Sequence, residues 1–216
     1  MKLKYNSYND LTINKFYELH EAMTSENDDI DKIVSVAAVL CDVDENTICD
    51  MNIGDIADLK EQLVWLNEEP DYNVKFKCKY IDLPKFGKCK IDANMKNFTI
   101  SQYIDFQTFY KDIKTNPERL MSVVIIPEKH KYCEGSDAFE LMEDIRNNVD
   151  IITAKQICFF IVSRLVNSIV NTLTCLENNL MAKKILTWKK SKRQELQQHI
   201  NQLRATKEMV RTLGCV

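Results

Sequence analysis

Glycine and proline are scarce in this chain: each occurs four times in 216 residues. A loop-rich all-β fold needs such turn residues every few positions, so that class is excluded and a mainly helical protein is expected. Histidine occurs three times, as His20, His130 and His199. The eight cysteines, at 41, 49, 78, 89, 133, 158, 175 and 215, include no Cys-x-x-Cys pair. Without that spacing or an export signal they read as reduced thiols of a cytosolic product, and several, such as Cys41 and Cys158, sit inside apolar helical patterns. The opening "MKLKYNSYND" has no apolar signal region. The most apolar run, "ICFFIV" at Ile157–Val162, is flanked by Lys155, Arg164 and Asn167, so no membrane span is expected.

Catalytic spacings are lacking as well. There is no Gly-x-Ser-x-Gly, and "KFGK" has one glycine where a phosphate loop needs several. Asp42, Asp44 and Asn46 occupy the first three ligand spacings of a calcium loop. Thr47 stands where that loop needs Gly, and Ile53 where it needs a bidentate Glu, so "DVDENT" reads as a helix cap. His130 and Cys133 form one half of a zinc pattern with no second pair nearby. No catalytic, cofactor-binding or metal-ligating residue is assigned, and the expectation is a protein that is not an enzyme and needs no cofactor.

What is present is helix signals and sorted charge. "LTINKFYELHEAM" starts at Thr12 as N-cap, with Ile13, Phe16, Tyr17 and Leu19 at helical spacing. "NDDIDKIVSVAAVLC" predicts a second helix burying Ile30, Ile33, Val34, Ala37 and Leu40. "DENTICDM" suggests a short turn of helix, and "NIGDIADLKEQLVWLNEEP" a helix stopped by Pro70. "VKFKCKYI" alternates, which predicts a strand with Val74, Phe76, Cys78 and Tyr80 inward and Lys75, Lys77 and Lys79 outward. "LPKFG" then turns it into "KCKID", a β-hairpin at about 74–92. "FTISQYIDFQTFYKDI" opens with Thr99 and Gln102 at capping-box spacing. "NPERLMSVVII" has Asn116 as N-cap and Pro117 at the first helical position, with Pro127 ending it; another helix starts at Ser136.

From Thr153 to Leu213 there is neither Gly nor Pro. One helix of ~60 residues would run ~90 Å, against a body with a radius of gyration of ~15 Å, so it projects or breaks. Its stripe Cys158, Val162, Leu165, Ile169, Leu173, Leu176 and Leu180 predicts a buried face, widest near Phe160. Lys189 to Glu195 has no apolar residue, and Leu196, Ile200, Leu203 and Val210 then form a narrow seam.

Residues 1–150 hold 18 Lys/Arg and 29 Asp/Glu, a balance of 18 − 29 = −11; residues 151–216 hold 11 and 3, or 11 − 3 = +8. The expected organisation is therefore an acidic helical body with a hairpin (1–150) and a long basic C-terminal helical segment (151–216). Lys183, Lys184, Lys189, Lys190, Lys192 and Arg193, with Trp188 among them, form the candidate interface. Three readings of this cluster stand: a solvated helix face, a surface docked on acidic protein, or a non-specific contact to a phosphate backbone.

The order of "LTINKFYELHE", "DDIDKIVSVAAVLCDV", the lysine-rich hairpin, "FTISQYIDFQTFYKD" and "AKQICFFIVSRLVNSI" resembles small structural or tail-assembly proteins of tailed bacteriophages, crAss-like phages in particular. The resemblance implies a virion component made in the host cytoplasm, forming a homo-oligomeric ring in the connector or tail. Its partners would be other neck, tail or portal proteins, with contact to packaged DNA open to the basic segment. The alternative it implies is a tail-assembly chaperone absent from the finished particle. It carries no active site.

Overall fold

Side chains that take up free backbone N–H groups set most helix starts. The computed structural model describes residues 2–213 apart from 69–77, 93, 95–96, 129–131, 133–134 and 187–189, and describes no side chains within 182–193 or beyond 207. Helix α1 (Ile13–Thr24) begins at Thr12, whose Oγ1 accepts from the Lys15 N–H at 3.3 Å. Helix α2 (Asp29–Cys41) is capped by Asp28, which accepts from the N–H groups of Ile30 and Asp31. Helix α3 (Glu45–Cys49) is capped by Asp44. Helix α4 (Ile53–Gln62) ends earlier than expected and gives way to a 3-10 turn at Val64–Asn67; Pro70, the expected stop, lies outside the described residues. The capping box of α5 (Ile100–Phe109) is complete: the Gln102 N–H donates to Thr99 Oγ1 at 3.1 Å, and the Thr99 N–H to Gln102 Oε1 at 3.0 Å.

Three expectations need correction. Of the expected face of α2, Ala37 and Leu40 are buried and Ile33 and Val34 half-buried, but Ile30 is 72% exposed; Val36, Ala38 and Cys41 are buried in addition. Periodicity gives the direction a side chain points, not how far along the helix a neighbour covers it. The segment read as helix through Ile126 divides into α6 (Pro117–Val124) and a strand (Ile125–Pro127). The residue before a proline is driven out of the α region, and four β-branched residues precede Pro127, so the chain extends there. Asn116 keeps the N-cap position of α6, but its side chain makes no capping bond.

The third correction is the parity of the hairpin. Strand β1 (Tyr80–Leu83) pairs with β2 (Gly87–Ile91), and β2 with β3 (Ile125–Pro127), both antiparallel. Gly87 takes the left-handed backbone (φ 68°) that closes the turn. In β1 the inward residue is Leu83, with Ile81 half-buried, while Cys78 and Tyr80 are exposed. Leu83 occupies the parity assigned to the lysines, and a one-residue change of phase turns every side chain over. Val74, Phe76, Lys75 and Lys77 lie outside the described residues. Lys88 stands 4.1 Å from the Tyr80 ring centroid, so that exposed face is an aromatic–cation one.

The chain forms two compact units, Met1–Cys158 and Phe159–Val216. In the first, α6 is the central helix: Leu120, Met121, Val123 and Val124 are fully buried. Buried polar groups tie it to its neighbours. Gln102 Nε2 donates to the Val123 carbonyl at 3.2 Å, and Asp144, on α7 (Ser136–Asn148), accepts from the Lys85 N–H of the hairpin turn at 2.9 Å. Leu11–Ile13 and Val149–Ile151 exchange backbone hydrogen bonds at 2.9 Å, so the first helix and the eighth start side by side.

The second unit holds most of α8 (Ile151–Leu186) and all of α9 (Lys190–Leu213). Arg204 Nε donates to Glu177 Oε1 at 2.6 Å. In one continuous helix those residues would stand ~40 Å apart at 1.5 Å per residue. The chain therefore folds back after α8, and α9 returns antiparallel along its second half. Ile200 is buried and Leu196 and Leu203 half-buried, as the narrow seam required.

The long stripe on α8 is buried only at its start. Cys158 and Ile161 are covered, whereas Ile169 and Leu176 are exposed. Phe160, expected in the core, is half-buried with the Arg164 guanidinium 5.0 Å from its ring. One expectation about length also fails: Ile151–Met181 is long and apolar enough to cross a membrane by length and composition.

Two outcomes follow in denaturant melts. Gln102→Leu removes the partner of the Val123 carbonyl and half of the capping box, and is expected to cost about 1–3 kcal/mol. Phe160→Ala is expected to cost roughly 1–2 kcal/mol, below the ~3–5 kcal/mol of a fully buried phenylalanine.

Candidate assembly surfaces

The fold-back gathers the sequence-predicted cations at one end of a helical hairpin. Lys183 and Lys184 lie on the last turns of α8, and Lys190, Lys192 and Arg193 on the first turns of α9. Lys189 and Trp188 lie outside the described residues, as do the side chains of the other five. The first turn of α9 carries no acid, so its cations add to the positive end of the helix dipole instead of opposing it. At the end of α8, Lys183 and Lys184 meet the negative end of a dipole.

Of the residues weighed for metal chemistry, Asp42 and Asp44 have other partners. Asp42 ends α2 in the left-handed conformation (φ 56°) and forms ion pairs with Lys4 and, at 3.0 Å, Lys15. Hydrogen bonds from Lys4 first, then Lys15, hold its carboxyl below the usual range. Asp44 caps α3 and accepts from Asn46. His20 and His199 are exposed, and His130 and Cys133 lie outside the described residues. Among the described residues no three His, Cys, Asp or Glu side chains converge as a metal site would require. The cleft between α1 and α2, about 610 Å³, is walled mainly by carboxylates (Glu18, Glu21, Asp42, Asp44 and Glu45): Lys15 bridges Glu18 and Asp42, and Ser35 donates to Glu45 at 2.6 Å.

A buried ionisable cluster in the first unit escaped the sequence reading. Glu118, in the first turn of α6, is 5% exposed, and its Oε2 has no hydrogen-bond partner. Burial raises its pKa; its own backbone N–H and the charges of Arg146 and Arg119 oppose that only in part. Burial, reinforced by Glu118, pushes Tyr17 up to about 12 and Cys158 up to about 12. Cys158 is thus a neutral core thiol, not an activated nucleophile. The signal in sequence was an acid between Pro117 and Arg119 at the start of a mostly apolar helix, and it read as an ordinary first-turn carboxylate.

Exposed apolar side chains collect on helix faces. Helices α5 and α7 leave Ile104 and Phe139 open on a groove of about 380 Å³, with Phe109 and Met142 in its walls; Ile100 and Tyr103 are also exposed on α5. A second recess of about 700 Å³ lies among Met23, Ile33, Val36, Leu63 and Val64. On α8, Phe159, Ile169 and Leu176 are open. The sequence signal for these was a helix with two apolar faces: in α7, Leu141 and Ile145 face the core while Phe139 and Met142 line the groove. No protein-family model matches the chain, and neither a curated protein nor a solved structure matches it.

The raised pKa of Glu118 has a definite sign. Folding holds its proton more tightly, so its contribution to stability is full below the ordinary value of 4.5 and is lost as pH rises through the raised one. Relative to the parent, Glu118→Gln should gain stability as pH increases across that window. Urea melts from acid to neutral pH check this; a stability difference independent of pH would contradict it.

Proposed function

We propose that this protein is a non-enzymatic assembly component that works through protein–protein contacts. In the finer reading, carried by the resemblance in motif order, it is a ring-forming structural protein of a tailed-phage neck or tail. The observation that carries the coarser reading is the set of open apolar helix faces: Ile104 is 57% and Phe139 74% exposed, and both line the same groove. Contiguous apolar surface of this kind marks interaction sites. The sorted charge supports the same reading, since complementary faces steer encounter and fix register more than they add affinity. The apolar length of α8 fits this role better than a membrane role. The charged helix α9 lies along its second half, and the Glu177–Arg204 pair would have to be carried into lipid.

Mass spectrometry of purified particles separates a ring subunit, present in fixed stoichiometry, from a tail-assembly chaperone, which is absent. At the level of the pure protein, Lys189, Lys190, Lys192 and Arg193 changed together to Gln should weaken assembly in native mass spectrometry while leaving the thermal melt unchanged. Added salt should weaken the parent in the same way. Unchanged assembly, with loss of a salt-sensitive DNA affinity that the parent possesses, would instead assign the hairpin tip to a phosphate backbone.

A further inference from the structure

The groove between α5 and α7 has the chemistry and length to take one helix, and the chain itself carries a helix that fits. Its floor and rim are largely apolar: Ile104, Phe109, Phe139 and Met142. Among the described residues its charges are of one sign. Asp105, hydrogen-bonded to Tyr132, lies in the wall, and Asp137 and Glu140 flank Phe139 on α7. Helix α5 has no Lys or Arg, and the one cation of α7, Arg146, stands over the Tyr17 ring at 6.0 Å.

The second unit is the complement. Residues 159–216 carry 10 Lys/Arg and 3 Asp/Glu, 10 − 3 = +7, against 19 − 29 = −10 for residues 1–158. On α8, Leu165, Ile169, Thr172 and Leu176 recur at four, three and four residues and form one side of the apolar stripe. Ile169 and Leu176 are exposed and Leu165 is half-buried, so the hairpin partner leaves this side open. Between Phe159 and Leu176 the helix has one charged residue, Arg164, and no acid. The stripe is ~17 Å long and α5 ~15 Å, so groove and stripe match in length.

We infer that the α5–α7 groove of one copy receives the open side of α8 from a second copy. This rests on the self-assembly part of the proposed function. The two surfaces differ, so the contact is head-to-tail and closes into a ring or continues as a filament.

The test uses two full-length variants at exposed positions, Phe139→Glu in the groove and Ile169→Glu on the stripe, each with an unchanged thermal melt. Molar mass is read by light scattering after gel filtration at low salt. The parent should assemble, and each variant alone should remain monomeric. An equimolar mixture should stop at a 1:1 pair, because it has one intact groove and one intact stripe. If Phe139→Glu assembles like the parent, or the mixture forms no pair, the groove–stripe contact is wrong while self-assembly stands. If the parent is monomeric at every concentration, self-assembly and this contact both fall.

Discussion

Two backbone hydrogen bonds, between residues nearly the whole first unit apart in sequence, determine where the helices can go. Ile13 donates to the Val149 carbonyl and Ile151 to that of Leu11, both at 2.9 Å. Thr12 and Asp150 face each other across this bridge, and each is also a helix cap: Thr12 accepts from Lys15 N–H, and Asp150 from Thr153 N–H at 2.8 Å. The flanking Leu11, Ile13, Val149 and Ile151 are all buried. One small junction thereby aligns the start of α1 with the start of α8 and satisfies N–H groups that both helix ends would leave free. The first two turns of α8 become core, and Ile157 and Cys158 with them.

Helix starts were the legible part of this fold because capping is a local interaction. Thr12, Asp28, Asp44 and the Thr99–Gln102 box act within three residues of themselves, and a sequence window contains all the atoms involved. Burial was less legible because it depends on the neighbour. Ile30 has the right angle on α2 but lies beyond its cover, and Tyr80 alternates as a core residue would while Leu83 takes the inside. The edge strand Ile125–Pro127 was written in its β-branched run, yet the helical start of the same segment masked it.

Of the C-terminal pattern of wide stripe, polar gap and narrow seam, the seam is covered as expected, whereas the stripe is buried only at its start. What the residues could not reveal was that gap meant reversal, since no Gly or Pro marks it. A hairpin is nevertheless the economical outcome. The narrow seam of α9 matches one side of the wide stripe of α8, and doubling back removes both from water. The same geometry explains why half of the candidate site was foreseen and half was not. Clustered lysines are visible in any sequence. The groove is made by two helices that are separate in the chain, each with a second apolar face indistinguishable beforehand from a broad core face.

The opposed charges of the two units, −10 and +7, bear on association more than on folding. Exposed ion pairs contribute about 0–1 kcal/mol each and are screened within ~10 Å at moderate salt. They cannot supply the affinity of a lasting contact. Apolar burial can, at about 25 cal/mol per Å², but it is indifferent to orientation. A groove that is apolar inside and acidic at its rim combines the two: the apolar floor supplies affinity, and the rim rejects an acid-bearing stretch while admitting one such as Phe159–Leu176 of α8, which has none. Like charge also keeps two groove faces, or two basic hairpin tips, from meeting. Of the pairings open to identical copies, head-to-tail is the one that both terms favour.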